Sequence, residues 1–485
     1  MKKLRKRSRL LYGLGAVCLA GLLAGFFGSV LADRICLSPE PRPERSVELP
    51  GPVSRRMVGK RPEDVSGKSW LHRSRGIWQL YLEGDPFTIG YSAARLTDGL
   101  MRNLENDFLA MIKEQVPFAA LRWLLRKYVM VRIRNLPDFV DEEFKLEILG
   151  EARGFTDHHP EIAPLYHRLG AYHAAHDISH FVMDIPLAPS EPMDGCTSFA
   201  AWGKHTAGGR LLAGRNFDFQ GGRGFDKDKI VMFVRPEKGH AFLSVSWPGM
   251  MGVVSGLNEK LLYVSINAGS SSDSRSVGTP SCFVARRVLQ YASSIEEAIA
   301  IIEAARMFVS DSFLIADGKS GAVVVVEKSP DRMGIRRPEG NFIVSANHYL
   351  TPVLSGDPKN LKYMRDSSSV ARQERMTELL SGKAGKLDIL SAAAILRDRG
   401  GDKDNAGEGA DPRAINPLIA THSVIADVTA GLLWVSEGPH QLGEYVPFSV
   451  KDFSAEAHKP VIPADPFLMD GRYGRYVKAF RPAGY

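Results

Sequence analysis

Residues 10–31 read LLYGLGAVCLAGLLAGFFGSVL, an apolar run without a single charge. The run follows Lys2, Lys3, Arg5, Lys6, Arg7 and Arg9 and stops just before Asp33 and Arg34. A basic flank followed by an uncharged apolar stretch predicts a secretory signal or a signal anchor, with the basic end held in the cytoplasm and the body outside it. Val30-Leu31-Ala32 offers small residues for a cleavage site, yet the run approaches the roughly 20 residues that span a bilayer. Residues 1–32 are therefore expected to be a signal peptide or anchor. Cys36 lacks the small residues of a lipoprotein signal before it, so no lipidation is expected. From 33 to 70 the chain is rich in Pro and charge with no period of 2 or 3.6, which predicts a linker.

The periodicity then changes twice. IWQLYLEG, from Ile77, predicts a strand and Gly84-Asp85-Pro86 a turn. Ile89, Ala93, Leu96, Leu100, Leu104, Phe108 and Met111 follow at spacings of three and four, one face of a helix. LRWLLRKYVMVRI and FVDEEFKLEILGEARGF continue in the same manner, so 71–195 is expected to be mainly helical. At Gly195 short β-type runs take over: TSFAAWG, RLLAGRNFDF, KIVMFVRP, AFLSVSW, LLYVSI, FLIAD, AVVVVEK and NFIVSA. Most are apolar on both sides of the alternation, as strands covered on both faces are. A long helix from Cys282 through EEAIAIIEAA interrupts them. Helices around Val370–Leu380 and Leu387–Leu396 precede the last strands, HSVIAD and GLLWVSEG. This order predicts a layered α/β body over 196–485. GGDKDNAGEGADP, near 400–412, predicts a polar surface loop.

With 44% hydrophobic and 24% charged residues the chain is that of an ordinary globular protein. Its formal charge of +7 falls to about +1 once the six N-terminal cations are set aside, which argues against a nucleic-acid partner. Of the four cysteines, Cys18 lies in the apolar run, and no Cys/His spacing suggests zinc. Cys36 and Cys282 either pair outside the cytoplasm or remain two thiols.

Cys196 is different because of what surrounds it, DGCTSFAAWGKHTAGGRLLAGRNFDF. A thiol attacks only as thiolate and needs a base and positive charge nearby. If TSFAAWG and RLLAGRNFDF form a hairpin, Arg215 and Asp218 return beside Cys196. Arg215 would stabilise the thiolate, and Asp218 would accept a hydrogen bond from the thiol or an α-amine. Gly195 carries no side chain to obstruct attack on its own carbonyl. An acyl shift to sulfur followed by hydrolysis would cut the Gly195–Cys196 bond and free the Cys196 α-amine, whose ordinary pKa near 8 suits a general base.

The blocks Cys-Thr-Ser and Gly-Arg-Asn-x-Asp resemble the N-terminal-nucleophile cysteine hydrolases of the choloylglycine hydrolase and acid ceramidase type. They are most similar to the bacterial relatives of isopenicillin N acyltransferase. The resemblance runs from EGDPFTIGYSAARL to VIADVTAGLLWVSEGPH. It implies a four-layer αββα sandwich with a helical N-terminal precursor segment that stays bound after cleavage. It also implies Cys196 as nucleophile, Arg215 as its electrostatic partner and Asp218 as the residue that orients it. By the same resemblance, Asn267 in GLNEKLLYVSINAG binds the oxyanion, Asn347 in VSANHY lies beside the scissile amide, and Arg372 in SSSVARQERMTELL is a second arginine, with Arg375 one turn away as the alternative. The stretch from Cys196 to Arg215 is slightly longer than in choloylglycine hydrolases, and that from Asn258 to Asn267 slightly shorter.

The implied activity is cleavage of a linear non-peptide amide through a Cys196 thioester, the acyl group passing to water or to an amine. The substrate class would be a small N-acyl amide or lipid-like molecule, the location outside the cytoplasm, and the chemistry would need no metal or organic cofactor. Two other readings are a lipid acyl hydrolase similar to phospholipase B and a silent membrane-tethered binding protein. A cysteine–histidine mechanism has His176, His180, His205 and His348 to draw on, none of which the sequence ties to Cys196.

Overall fold

The computed structural model describes residues 37–480 apart from 44–48, 60, 184–194, 220–222, 401–410, 412 and 454–458. The apolar run 10–31, Cys36 and nearly all of the expected 400–412 loop lie outside the described residues. Among the described residues no helix is long and apolar enough to cross a membrane.

Two sheets form the body. The larger has the order β1 (Ser54–Val58), β2 (Arg61–Ser66), β3 (Ser69–Ser74), β4 (Ile77–Gly84), β7 (Ile230–Pro236), β8 (Phe242–Ser246), β9 (Ser255–Asn258), β10 (Leu262–Ala268), β11 (Asp311–Asp317), β12 (Val323–Lys328) and β13 (Met333–Arg336). The smaller has the order β14 (Phe342–Ser345), β5 (Thr197–Gly203), β6 (Gly209–Asp218), β15 (Ala420–Asp427), β16 (Leu432–Ser436) and β17 (Tyr445–Ser449). Strand alternation sorts the side chains between layers. Val231 and Phe233 of β7 meet Ala213, Val424 and Val435 of the smaller sheet between the two sheets. Ile230 and Met232 turn instead to the outer face, into the core shared with the helices that cover the larger sheet, among them Ser281–Tyr291. Leu212 and Ile425 turn to helices Ser369–Ser381 and Ile389–Leu396 on the opposite face.

Three elements differ from the sequence reading. Residues 54–74, assigned mostly to the linker, form β1–β3 at the edge of the larger sheet. Their side chains carry no apolar alternation because β1 is exposed throughout and most of the buried positions of β2 and β3 are polar, Glu63, Ser66, Ser69 and His72. β1 is held by the backbone ladder and by cross-strand pairs such as Arg55 with Asp64 (2.9 Å) and Arg56 with Glu63 (2.8 Å). The mainly helical segment therefore opens with strands, and β4 pairs in parallel with β7 from Trp78↔Ile230 to Gly84↔Pro236. Finally, the long helix expected from Cys282 is two helices. The first ends at Tyr291, and the Ser294 side chain caps the second by accepting from Glu297 N.

The helices ahead of Gly195 pack on this frame. Asp85 caps Pro86–Gln115 by accepting from Thr88 N at 3.1 Å, and Pro86 occupies the first turn, where its missing N–H costs nothing. That helix crosses Glu142–Gly154 at glycines: a Cβ on Gly90 would sit 1.9 Å from Glu147 O, and one on Gly150 2.2 Å from Phe87 O. Gly150→Val is expected to push the helices apart and lower stability by about 3 kcal/mol, read as a fall in Tm. Buried polar pairs then join this segment to the body. Arg286 donates to Glu147 at 2.9 Å, and Asp177 accepts from Ser281 N at 3.0 Å, at the start of the outer helix.

Candidate active site

The expected hairpin is present. β5 and β6 pair antiparallel with Thr197 opposite Asn216 and Ser198 opposite Arg215. The register carries Gly195 back to the end of β6, where its N–H donates to Asp218 O at 3.0 Å. Cys196 is buried at the mouth of the hairpin, its exposure 1%.

Arg215 is fully buried and donates to Cys196 Sγ (3.4 Å), Ser255 Oγ (2.8 Å), Val254 O (3.2 Å), Asn267 Oδ1 (3.4 Å) and Ile266 O. Its guanidinium lies over the Phe217 ring, 4.4 Å from the centroid. So many acceptors fix the cation against the sulfur, and a fixed cation favours thiolate.

Arg372 approaches from helix Ser369–Ser381. One of its terminal nitrogens donates to Gly195 O (3.1 Å), Cys196 O (2.7 Å) and Thr197 Oγ1 (2.6 Å), and the other donates to Asn347 Oδ1 (2.7 Å). Arg375, the alternative, faces away and pairs with Asp398 and Glu378. Three residues on, the side chain is turned by only about 60°, and it is the pairing with Asp398 and Glu378 that draws Arg375 away from Gly195.

Asn267 donates to Ser198 Oγ and Ser345 O, both at 2.9 Å. Asn347 donates to Ala268 O at 2.9 Å. The carbonyl of Gly195 accepts from Arg372. Asp218 is buried, and neither carboxylate oxygen has a hydrogen-bond partner among the described residues. Burial pushes its pKa up to about 7, against the pull of Arg372 and then Arg215. A Cβ on Gly195 would lie 3.7 Å from Asp218 and 3.8 Å from Arg372, ordinary contacts, so packing does not demand glycine there.

Ser255 and His422 were missed by sequence reasoning. The His422 ring stacks on Phe217 at 5.2 Å, and its Nε2 lies 3.2 Å from Ser255 Oγ and 3.5 Å from Arg215. Burial first, then Arg215 and Lys229, keep it well below the usual histidine pKa, hence neutral. No motif marks either residue, because each acts only through Arg215. The histidines weighed for a cysteine–histidine pair go elsewhere: His205 bonds Leu380 O, His348 bonds Ser369 Oγ and His176 bonds Asp311. His180's side chain lies outside the described ones. Cys282, the other described thiol, is buried and free, and donates to His173 O at 3.1 Å.

An apolar cavity of about 110 Å³ is lined in part by Phe217 and Val254. Phe225 and Trp247 line it from the body, and Leu104, Phe108 and Tyr172 from helices that precede Gly195.

Residues 205–410 match the family model described as acyl-coenzyme A:6-aminopenicillanic acid acyl-transferase. The matched stretch contains Arg215, Asp218, Asn267, Asn347 and Arg372, and starts just after Cys196. An uncharacterized protein of Archaeoglobus fulgidus is 24% identical over 354 residues, and the match spans 66% of this chain and 58% of that relative. Three solved structures overlap it in part. The N-acylethanolamine-hydrolyzing acid amidase ortholog of Caenorhabditis elegans has a TM-score of 0.36 and 17% identity, over 48% of this chain and 93% of its own. A mutant conjugated bile acid hydrolase from Clostridium perfringens has 0.37 and 13%, over 55% and 97%. Penicillin V acylase from Agrobacterium tumefaciens has 0.33 and 14%, over 50% and 83%. Overlaps this partial carry no comparison of sites. The family resemblance is borne out as a resemblance: over residues 205–410, a stretch that holds the Gly-Arg-Asn-x-Asp block and begins after Cys-Thr-Ser, this chain is similar to the acyl-coenzyme A:6-aminopenicillanic acid acyl-transferase family.

Proposed function

We propose that the chain is a precursor that cuts itself between Gly195 and Cys196 and then acts as a cysteine amidohydrolase or acyltransferase on a non-peptide amide. The observation that carries this is the held bond. The Gly195 carbonyl accepts from Arg372 at 3.1 Å while the Cys196 sulfur accepts from Arg215 at 3.4 Å. Cys196 Sγ attacks the Gly195 carbonyl carbon, the C–N bond breaks, and the α-amine of Cys196 leaves with a proton. Water then hydrolyses the thioester and frees the thiol. In the mature enzyme the same sulfur attacks a substrate amide, the amine leaves, and water or a second amine takes the acyl group. The apolar lining of the cavity beside Phe217 suits a lipid-like or otherwise apolar acyl group, so we favour N-acyl amides as substrates. The pairing of β4 with β7 and the Arg286–Glu147 bond support a precursor segment that remains attached after the cut. The run at 10–31 supports a location outside the cytoplasm, secreted or anchored.

The test is a denaturing gel of the purified protein with sequencing of the fragments. A new N-terminus reading Cys-Thr-Ser supports the proposal, and an uncut chain that turns over amides sinks it.

Asp218 adds a pH dependence. As a carboxylate it accepts the proton of the attacking thiol, so cleavage is expected to rise as pH climbs through about 7 and to level off above it. Asp218→Asn should remove that rising limb from the rate profile of precursor cleavage. Stability runs the other way. Because the folded pKa is raised above the ordinary 3.8, this carboxyl's favourable share is complete below 3.8 and is lost as pH rises through about 7.

A further inference from the structure

Helix Ala119–Arg132 reverses the usual arrangement of a surface helix. None of its residues is buried. Leu121 (39% exposed), Leu124 (55%), Tyr128 (45%) and Val131 (40%) are open to solvent, and Phe118, just ahead of the helix, is 71% exposed. At about 100° per residue the four helical positions fall in one narrow stripe, and that stripe faces outward. Lys127 borders it on one side and Arg132 on the other. The opposite side is tied down: Arg122 donates to Val116 O and Pro117 O, Arg126 donates to Glu161 O, and Ile133, one residue past the helix, is buried.

Charge says what covers the stripe. Between Ala119 and Arg134 the chain has five cations, Arg122, Arg126, Lys127, Arg132 and Arg134, and no carboxylate. An outward apolar stripe edged by cations is what a helix needs to lie in the headgroup layer of an anionic bilayer, apolar side chains among the acyl chains and cations among the phosphates. A protein partner would need to supply an acidic groove, whereas an anionic bilayer supplies both halves at once.

The path of the chain points the same way. Leu37 shares a small cavity with Met130, Ile133 and Arg134, and Ser38 O accepts from His167 Nε2 at 2.9 Å. The chain is therefore fastened beside the C-terminal end of this helix only six residues after Leu31, the end of the apolar run. Whatever surface receives residues 10–31 lies within reach of the stripe.

We propose that Phe118–Arg134 is a membrane-docking element that seats the body on an anionic lipid surface, with Phe118, Leu121, Leu124, Tyr128 and Val131 entering the interface. The test is hydroxyl-radical footprinting of the full chain, alone, with phosphatidylcholine vesicles, and with vesicles that also contain phosphatidylserine. Modification of Phe118, Leu124 and Tyr128 is expected to fall several-fold with the phosphatidylserine vesicles and to recover in high salt. Leu390, 59% exposed on the opposite outer layer, should be unaffected. Equal modification in all three samples overturns the proposal, as does equal protection by both vesicle types. Protection that grows with protein concentration without lipid also overturns it and assigns the stripe to a second copy of the chain.

Discussion

Cys196→Ala is expected to give one uncut chain with no amide turnover, where the unaltered protein gives two fragments. The thiol has two tasks in sequence: it breaks the bond that precedes it, then attacks substrate. Losing it removes the first covalent step of both, for which the expected rate loss is on the order of 10⁴ or more. The fold should survive. Sulfur adds little to a core where Phe217 and the β5–β6 ladder carry the packing, and Arg215 keeps its bonds to Ser255, Val254 and Ile266. An unchanged Tm with an intact band is therefore the expected pair of readings. If Cys196→Ala still yields a fragment starting at residue 196, another protease makes the cut and self-cleavage is wrong. Cys196→Ser separates the tasks further, since a hydroxyl retains the geometry but is a poorer nucleophile, and slow residual cutting is expected.

Arg372→Gln should slow cleavage about 10²- to 10³-fold, the usual consequence of removing a donor to a developing oxyanion. Its bond to Gly195 O strengthens as negative charge gathers on that oxygen, so the loss falls mainly on the transition state. Arg372 also holds Asn347 Oδ1 and Thr197 Oγ1, and Arg372→Lys, with a point charge in place of a fork, should recover the rate only in part. Arg375→Gln is the control. That arginine serves Asp398 and Glu378, so its loss should leave the appearance of the fragments unchanged. Both are read from the time course of precursor disappearance. Equal slowing in Arg372→Gln and Arg375→Gln would mean that the helix, and not the contact with Gly195, controls the cut.

Local physics explains which features were readable. The helix from Pro86 announces itself by its period and by Asp85-Pro86 at its start, and the apolar double-faced runs from Thr197 onward form strands of two stacked sheets. Such signals are carried by neighbouring residues, and burial reinforces them. β1–β3 had no such signal, since β1 is exposed and held by its ladder with β2, and most of the buried positions of β2 and β3 are polar, so an apolar period is absent. The break at Ala292 was hidden for the opposite reason: both flanking helices are apolar on the same side, and only Ser294 marks the stop.

The sequence by itself determined the chemistry on offer: a cysteine after a glycine, with Arg215 and Asp218 placed to return on the next strand, because strand register converts spacing into proximity. Tertiary structure alone decided the rest. It chose Arg372 over Arg375, put the Gly195 carbonyl under Arg372 while Asn267 turned to Ser198 and Ser345, and set His422 and Ser255 behind Arg215. Those contacts join residues from 40 to 207 positions apart, and nothing local encodes which side chain meets which. It is the stacking of the two sheets and of their outer helices that brings them into one buried site.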